Sequence, residues 1–362
     1  MAGSCLNRDE PMSLAQFMDL SGVSHVQDVR SLSLDRPSIV VIGKFDGMHI
    51  GHCGIFAEGV RRRARLQEHP DVADALLVAI TFDPLPTVYF NPDGGLKMLS
   101  SPEERVLLAR QQGADHCVVQ TFDRHTAELS AEGFVGLLVR HLRIAELVIG
   151  EDFALGRNRT GTPGTLRELG RTLGFEVTTV PDVRRDGAVV RSGTIRDLLQ
   201  RGDVERTAQH LGRSPFVAGI VVEGVKLARR LGFPTANLQP IPDRLYPKTG
   251  VYATRSWVPH PVRAYPSVTN IGYRPTFDGT EFRVESHLLD FPPEGEDGNL
   301  YEQRIVVEFV SRLRDETRFS DVEELCRQVQ SDIGSARARL AGTAPASEQA
   351  ALLRDLIRYL NR

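Results

Sequence analysis

Two histidines stand three residues apart in FDGMHIGH at 45–52, where the apolar run SIVVIG gives way to a helical pattern. A glycine lets a phosphate approach the backbone, a helix N-terminus favours negative charge, and imidazoles can donate hydrogen bonds to phosphoryl oxygens. His49, Gly51 and His52 therefore indicate stabilisation of charge on an α-phosphate during nucleotidyl transfer. Histidines paired in this way also occur as satisfied turn or core residues, and Asp46 equally fits a cap or an Asx turn.

One carboxylate, Glu285, lies inside the predicted strand RVESHLLDF at 283–291. A carboxylate within a strand is costly to bury unless it has a partner or a chemical task. Since side chains alternate along a strand, Glu285 can also point outward to solvent. The run taken alone favours the outward orientation.

Short β-branched runs alternate with amphipathic segments from residue 39 to about residue 180. The predicted strands lie at 38–43, 75–82, 115–120, 146–150 and 175–180. Ser101, Pro102 and Glu104 supply an N-cap, an N1 proline and a capping-box acid for one of the helices between them. This alternation predicts an α/β fold, a doubly wound parallel sheet with helices on both faces. Ligands of such sheets bind beyond the carboxyl ends of the strands, where FDGMHIGH falls.

The pattern changes at about residue 213, where apolar runs follow one another with no helices between them. These runs lie at 216–224, 250–258, 267–272, 283–291 and 303–313. Successive strands separated by Gly and Pro turns predict a small antiparallel barrel or sandwich. A helix at 321–340 closes this second domain, and an Ala/Pro/Ser linker follows it. The last segment, ALLRDLIRYLNR, has one apolar face that we expect to dock on its own chain.

The composition is that of an ordinary globular protein, with 41% hydrophobic and 25% charged residues among 362. A formal charge of −3 gives no electrostatic footprint for nucleic acid, and RRRAR at 61–65 fits a solvated helix face. The four cysteines show no CxxC spacing, so neither a zinc site nor a disulfide scaffold is indicated. The chain shows neither a signal-peptide pattern nor an apolar run of about 20 residues. We expect a cytoplasmic protein with no membrane partner, and a homo-oligomer stays open.

With these motifs in place, the sequence resembles the bacterial bifunctional riboflavin kinase/FMN adenylyltransferases, also called FAD synthetases, from about residue 38 to about residue 340. The resemblance rests in the first half on GKFDGMHIGH, TFDPLP, VIGEDFALGRNRTG and the IR of RSGTIR. In the second half it rests on LGR, LGFPTANL, NIGYRPTF, VES, NLYEQ and RLRDETRF. It implies an N-terminal extension at 1–35, an adenylyltransferase-like domain at 36–212, a kinase-like barrel at 213–340, and a linker with a terminal helix at 341–362.

The resemblance implies that the first domain transfers AMP from ATP to the phosphate of FMN, which forms FAD. His49 and His52 would hold the α-phosphate, while Arg196 and Ser192 would hold the departing pyrophosphate. The other residues that it places around the nucleotide are Gly43, Phe45, Asp46, Gly47, Gly51 and Thr194. The residues that it places around the flavin are Phe82, Pro84, Asp152, Phe153 and Leu155.

For the second domain the resemblance implies ATP-dependent phosphorylation of riboflavin to FMN. Thr235 and Asn237 would bind Mg²⁺ and the ATP phosphates, and Glu285 would act as general base on the ribityl 5′-hydroxyl. A general base of this kind typically contributes ~10²–10⁴ in rate. Gly224 and Lys226 are expected at the nucleotide, and Arg274 at the flavin.

The chain departs from the family pattern in its loops. Leu85 stands where the family usually has histidine, Leu155 where it has phenylalanine, and Glu302 where it has glycine. RSGTIR at 191–196 alters the pyrophosphate segment, and VKLARR at 225–230 replaces a glycine-rich stretch. Two alternatives therefore stay open. One is a diverged paralogue that keeps one activity or acts on a modified flavin or another phosphorylated acceptor, and the other is a non-catalytic flavin or nucleotide sensor.

Overall fold

The computed structural model describes residues 24–68, 74–224, 227–276, 279–292, 299–342 and 347–361. The elements of its first part are β1 (Ser24–Val26), β2 (Ser38–Ile42), α1 (Ile50–Gln67), β3 (Leu76–Asp83), α2 (Pro86–Tyr89), α3 (Pro102–Gln111), β4 (His116–Thr121), α4 (Arg124–Glu128), α5 (Ala131–Leu142), β5 (Ile144–Gly150), α6 (Pro163–Leu173), β6 (Glu176–Val180), β7 (Arg184–Arg185), β8 (Ala188–Val189), α7 (Ser192–Arg201) and α8 (Val204–Leu211). Those of its second part are β9 (Phe216–Val222), α9 (Leu227–Arg230), β10 (Ala236–Leu238), β11 (Gly250–Pro259), β12 (Val262–Thr276), β13 (Gly279–Leu288), β14 (Arg304–Arg314), α10 (Val322–Leu340) and α11 (Ser347–Leu360).

The chain divides into two compact units that do not follow the chain order simply. The first contains β1 to β6 with α2, α4, α5, α6 and the later part of α1. The second contains Phe45–Gly54, Pro92–Gln111 and all described residues from Asp182 onward. The histidine loop thus packs in the same unit as β9 to β14. The domain boundaries expected from the sequence stay a prediction.

The first unit is built on a six-stranded parallel sheet of order β1-β4-β3-β2-β5-β6. The central strand β2 is buried along its whole length, as a strand covered on both faces must be. Val40 on β2 pairs with Val78 on β3 and with Leu147 on β5, and these side chains share one core. The predicted parallel sheet is confirmed. Ser24–Val26, before the first predicted strand, adds the edge strand beside β4.

Helix ends follow the sequence signals closely. Glu104 N–H donates to Ser101 Oγ at 3.2 Å, and Ser101 N–H donates to Glu104 Oε2 at 3.0 Å. This reciprocal pair is the predicted capping box at the start of α3. Thr162 caps α6, and Gly174 ends that helix with a φ of 83°, a conformation that glycine adopts without strain.

The second unit contains a closed antiparallel barrel of order β10-β13-β12-β11-β14-β9. The structure thus decides between the two predicted architectures, barrel and sandwich, in favour of the barrel. Its shortest strand, β10, was missed from the sequence because PTANL offers only three residues to the ladder. On β11, Val251 and Ala253 pack with Ala336 of α10, so the alternate residues Tyr252 and Val258 face the barrel interior.

The barrel interior holds a closed ring of five hydroxyl groups. Each hydroxyl is within 2.7–3.0 Å of the next, and all five residues are fully buried. The order around the ring is Thr254, Ser267, Ser256, Ser286 and Thr269. A hydroxyl has one hydrogen to donate and can accept, so every member of the ring can be satisfied at once. The ring offsets the cost of burying five polar groups.

The two C-terminal helices pack on the same unit. The predicted helix at 321–340 is α10, with Asp321 as its N-cap, and it packs on β11, β12 and β14. Helix α11 packs on α3, β11 and β14 through its apolar face. The side chain of Asn361 pairs with both backbone groups of Arg304, at 2.8 Å each. The expectation that the last helix docks on its own chain is confirmed. Of the expected linker AGTAPASEQ at 341–349, residues 343–346 lie outside the described residues, and the last three residues belong to helix α11, which begins at Ser347.

Candidate active sites

The loop between β2 and α1 passes through a strained backbone conformation. Phe45, Gly47 and Met48 have φ angles of 48°, 82° and 40°. For a residue with a side chain, the left-handed region costs about 1–3 kcal/mol and persists only where the surroundings enforce it. Gly47 must also be small, because a Cβ there would lie 2.9 Å from a methyl carbon of Leu99.

Asp46 is the centre of the hydrogen bonds that hold this loop. Its Oδ1 accepts the backbone N–H of Ser100 at 3.0 Å, and its Oδ2 pairs with the Arg196 guanidinium. Ser192 Oγ donates to the Asp46 carbonyl at 2.9 Å, while the Gly47 N–H donates to Ser100 Oγ at 2.8 Å. Asp46 is 2% exposed. These contacts favour the sequence interpretation of Asp46 as a residue that orders the turn.

The two imidazoles that follow the loop are stacked. The ring centroids of His49 and His52 are 3.6 Å apart with an interplanar angle of 16°, and Phe45 lies edge-on to His52 at 5.3 Å. His49 Nδ1 accepts the backbone N–H of His52 at 3.2 Å, so the proton of the neutral His49 ring resides on Nε2. A Cβ at Gly51 would lie 3.1 Å from the His49 ring. Gly51 therefore leaves room for the stacked ring.

His49 is neutral at physiological pH. Burial is the largest cause that lowers its pKa to about 4, and the positive charges of Arg213 and then Arg191 contribute to the same shift. Its side chain is only 6% exposed, so desolvation of the imidazolium is the main cause. The neutral ring retains one hydrogen-bond donor, Nε2–H.

Helix α7 begins with the segment predicted to hold pyrophosphate. Arg191 precedes it without a side-chain cap within the described part of the chain, and its guanidinium pairs with Asp182 at 2.8 Å. The first N–H groups of α7, from Ser192 to Thr194, have the orientation that suits an anion. Arg196 donates to the Lys97 carbonyl at 2.9 Å as well as to Asp46. The contact of Ser192, Thr194 and Arg196 with pyrophosphate stays a prediction.

The predicted flavin residues in the first unit differ in exposure. Pro84 and Asp152 are exposed, Phe153 is half-buried, and Phe82 and Leu155 are core residues at 8% and 7% exposure. The sixth predicted flavin residue, Arg274, is exposed on β12 of the barrel.

An aromatic cluster beyond the carboxyl ends of β3 and β4 was missed from the sequence. Phe122 contacts Phe82, Tyr89 and Phe90, with ring centroids 5.3–5.7 Å apart. Phe90 is 68% exposed, which is unusual for so large an apolar side chain. The run TVYF at 87–90, directly after TFDPLP, is the signal that could have revealed it.

The kinase motifs meet on the outer face of the barrel. Asn237 on β10 and Asn270 on β12 are the cross-strand partners of Glu285 on β13. Directly opposite residues point to the same face, and their neighbours Ala236 and Val284 face the interior. Glu285 therefore points outward, with its side chain 32% exposed and 3.6 Å from the Arg283 guanidinium. Strand register makes Glu285 and Asn237 neighbours, although 48 positions separate them.

The Asn237 side chain shows two features of a ligand. Its Oδ1 is buried and accepts no hydrogen bond from the residues that the structure describes. Gly224 packs directly on it, because a Cβ at residue 224 would lie 2.5 Å from Asn237 Nδ2. Thr235 is half-buried two residues earlier. An unsatisfied buried amide oxygen fits a hard cation that takes oxygen ligands.

The remaining predicted kinase residues are more scattered. Lys226 lies outside the described residues. Arg274 lies four positions along β12 from Asn270, which is about 13 Å. Glu302, which stands where the family usually has glycine, has a φ of 63° and so adopts the conformation for which glycine is suited. That substitution keeps the turn at a cost in backbone strain.

Comparisons with known proteins agree with this architecture. The FAD synthetase family model matches residues 32–194, and the riboflavin kinase family model matches residues 211–340. The bifunctional riboflavin kinase/FMN adenylyltransferase of Pseudomonas fluorescens is 36% identical over 331 residues, covering 88% of this chain and 99% of that protein. That of Escherichia coli (strain K12) is 32% identical over 309 residues, covering 85% and 94%. The crystal structure of a macrolide-efflux protein from Streptococcus pneumoniae covers 87% of this chain and 99% of its own, with a TM-score of 0.77 and 25% identity.

Fold and motifs together define an enzyme that joins a nucleotidyltransferase to a kinase. The chain belongs to the family of bifunctional riboflavin kinase/FMN adenylyltransferases. The family, the fold class and the bifunctional enzyme predicted from the sequence are confirmed. Among the described residues, no helix is both long and apolar enough to cross a membrane.

Proposed function

We propose that the chain forms FAD with His49 and His52 as the groups that bind the α-phosphate of ATP. A phosphate oxygen of FMN attacks the α-phosphorus, the bond to the bridging oxygen of the β-phosphate breaks, and pyrophosphate leaves. Negative charge shifts among the phosphoryl oxygens as this happens, and a fixed N–H donor in a buried setting stabilises it. The observation that carries the proposal is the imidazole stack, in which a neutral His49 keeps Nε2–H as a donor.

The flavin ring of FMN binds on the aromatic cluster of Phe82, Tyr89, Phe90 and Phe122. The exposed face of Phe90 supports this assignment, since offset or edge contacts between aromatic rings add about 0.5–1.5 kcal/mol beyond burial. Asp152 and Phe153, after β5, complete the flavin side. Phe82 and Leu155 support this surface from the core beneath it.

Riboflavin phosphorylation takes place on the outer face of the barrel. Glu285 accepts the proton of the ribityl 5′-hydroxyl as that oxygen attacks the γ-phosphorus, and ADP leaves. The cross-strand pairing of Glu285 with Asn237 supports these roles, because it fixes the base beside the predicted phosphate ligand. Arg283 lies 3.6 Å from the carboxylate and helps to orient it.

Mg²⁺ fits this site through Asn237 Oδ1 and the Thr235 hydroxyl. The buried and unsatisfied amide oxygen supports the assignment, and Mg²⁺ usually takes few protein ligands, completing its shell with phosphates and water. When bound, the ion neutralises charge on the ATP phosphates. Asn237 and Thr235 orient those phosphates, and Gly224 leaves the space that the Asn237 amide needs.

We assign adenylylation to 36–212 and phosphorylation to 213–340. Reduced thiols at Cys53, Cys117 and Cys326 fit the expected cytoplasmic location. Formation of a homo-oligomer stays a prediction.

A product assay tests this proposal against its two alternatives. Purified protein is incubated with Mg²⁺, ATP and either riboflavin or FMN, and the flavins are separated chromatographically. We expect FMN and FAD from riboflavin, and FAD from FMN. Only one of the two conversions would indicate a diverged paralogue, while tight flavin or nucleotide binding with no turnover would indicate a sensor.

A further inference from the structure

Arg213 contacts the histidine loop from a distant part of the sequence. Its two terminal nitrogens donate to the carbonyls of Gly47, at 2.7 Å, and Met48, at 2.8 Å. These carbonyls belong to the two residues immediately before His49. The terminal nitrogen that donates to Met48 also lies 3.4 Å from the carbonyl of Leu211, the last residue of α8. The planar guanidinium thus links the C-terminus of α8 to the loop that precedes α1.

The carbonyl of Met48 is fixed in a strained turn. Met48 and Gly47 both have positive φ angles, so without outside contacts the loop would relax to an ordinary conformation. Asp46 and Ser100 hold the first half of the turn. The two carbonyls at its end, next to the imidazoles, are the acceptors of Arg213. The Cys53 thiol also lies 3.9 Å from the Met48 carbonyl, but a thiol is a weak donor, so the strong donor to both carbonyls is the Arg213 guanidinium.

The charge of Arg213 acts on the same site. Burial lowers its pKa to about 10, so the guanidinium stays protonated at neutral pH. Its Nε is buried and has no hydrogen-bond partner among the described residues. Arg213, Arg191 and His210 act electrostatically on His49, and all three disfavour its imidazolium. After burial itself, Arg213 makes the largest contribution to keeping the ring neutral.

Arg213 also comes from the other half of the chain. The loop lies within the FAD synthetase match at 32–194, whereas Arg213 lies within the riboflavin kinase match at 211–340. A residue that precedes the first barrel strand by three positions therefore holds the loop that carries the imidazole pair.

We propose that Arg213 is a positioning residue for adenylyl transfer, which holds the carbonyls of Gly47 and Met48 so that His49 and His52 keep their stacked arrangement. The inference rests on the role proposed above for the two histidines. It assigns to a residue of the kinase half a function in forming FAD and none in forming FMN.

The test compares Arg213→Met and Arg213→Lys in the full-length chain. Met removes both the donors and the charge, and we expect kcat for FAD formation from FMN to fall about 10²-fold, as a displacement of about 1 Å in a reacting group produces. FMN formation from riboflavin should stay within twofold. Lys keeps the charge but cannot donate to two carbonyls in a fixed fork, so kcat should recover only in part.

The pH dependence of kcat for FAD formation distinguishes the positioning effect of Arg213 from the effect of its charge. With Arg213→Met, the acid limb of kcat for FAD formation should shift from near pH 4 toward the ordinary histidine pKa of about 6.5. With Arg213→Lys, the limb should stay near its wild-type position although kcat is lower. A purely structural role would lower both activities together and leave the limb unmoved, and that result would overturn the inference.

Arg244→Met serves as the matched control. Arg244 is also a buried guanidinium of the second unit, paired with Glu104 and bonded to the Phe216 carbonyl at 3.0 Å. Its loss should lower stability without changing the ratio of the two activities. If both Arg213 variants fail to fold, a pH titration of the wild-type chain with ¹⁵N-labelled histidine decides. A His49 that is protonated at pH 7, or that carries its proton on Nδ1, contradicts the arrangement.

Two outcomes keep this inference apart from the proposal on which it rests. If His49→Ala and His52→Ala both leave FAD formation intact, the proposed function fails. If they abolish it while Arg213→Met matches the wild-type chain in kcat and in pH profile, only the role of Arg213 fails.

Discussion

The two candidate sites of this chain are constructed in different ways. The kinase residues Asn237, Glu285 and Asn270 lie side by side on three neighbouring strands, so the register of one barrel aligns them. The adenylyl-transfer loop at 45–48 is instead held by side chains from three separate segments, at Ser100, Ser192 to Arg196, and Arg213. The geometry of a site on paired strands is set by the backbone hydrogen bonds between those strands. A site on a strained loop depends on each of the contacts that hold it.

The largest loss of activity is expected at the kinase site on the barrel strands, where one side chain, Glu285, accepts the proton. Glu285→Gln keeps the shape of the side chain but removes the base, so riboflavin phosphorylation should fall by about 10²–10⁴. FAD formation from FMN should be unchanged, as measured by chromatography with each flavin as starting material. Glu281→Gln, on the same strand and exposed, is the control. Equal loss of both conversions would show that the sites are not independent.

A change in the histidine loop should have the opposite selectivity: it should reduce FAD formation and spare FMN formation. His52→Ala removes one of the two imidazoles, and loss of one donor to a developing charge typically costs about 10²–10³ in kcat. FAD formation should fall by that amount while FMN formation persists. His125→Ala, at an exposed position in the short helix α4, serves as the control. An active His52→Ala enzyme would remove the imidazole pair from the mechanism.

Burial of His49 should appear in the acid stability of the chain. Its pKa is about 4 in the folded protein against about 6.5 when unfolded, so below pH 6.5 the unfolded chain binds a proton that the folded one does not. Stability is therefore full above pH 6.5 and falls by about 3 kcal/mol as the pH is lowered to 4. His49→Gln should remove this part of the pH dependence, measured as the difference in urea midpoint between the two proteins. If both proteins lose the same stability between pH 6.5 and pH 4, this expectation is wrong.

The smallest effect on activity is expected from the hydroxyl ring in the barrel interior. It lies on the opposite face of the strands from Asn237, Glu285 and Asn270. Thr269→Val keeps the volume but leaves the hydroxyls of Thr254 and Ser286 each without one partner, which costs about 1–3 kcal/mol. Thr269→Ser keeps the hydroxyl and should cost less. Urea denaturation measures both. Neither change should alter the activities, since Thr269 points inward; a loss of FMN formation at unchanged stability would argue against a purely structural ring.

Much of the fold could be read from local pattern. The β-branched runs gave the strands of the parallel sheet to within about two residues, and Ser101 with Glu104 gave a capping box. Two strands of the parallel sheet and the barrel were not predicted. Ser24–Val26 and Ala236–Leu238 are three-residue strands, too short to show a period, and each forms only because a neighbouring strand is present to pair with it.

Within the sites, sequence indicated which residues are special but not what they touch. Spacing singled out His49 and His52, and the apolar run around it singled out Glu285, but the pairing of Arg196 with Asp46 was visible only in the structure. The contact of Arg196 with pyrophosphate stays a prediction. The exposed Phe90 was missed, and Arg213 was noted only as part of the LGR motif, because local spacing does not reveal which distant carbonyls an arginine meets.

The sequence by itself determined the fold class, most of the strands and helices in their order, and the chemical groups available for phosphate transfer. Only the tertiary structure decided that Asp46 meets Ser100 and Arg196, that Met48 meets Arg213, and that five hydroxyls close into a ring. The physical reason is that strand and helix periods arise between residues a few positions apart. A buried charge or hydroxyl takes its partner from whichever distant group the packing brings within about 3 Å.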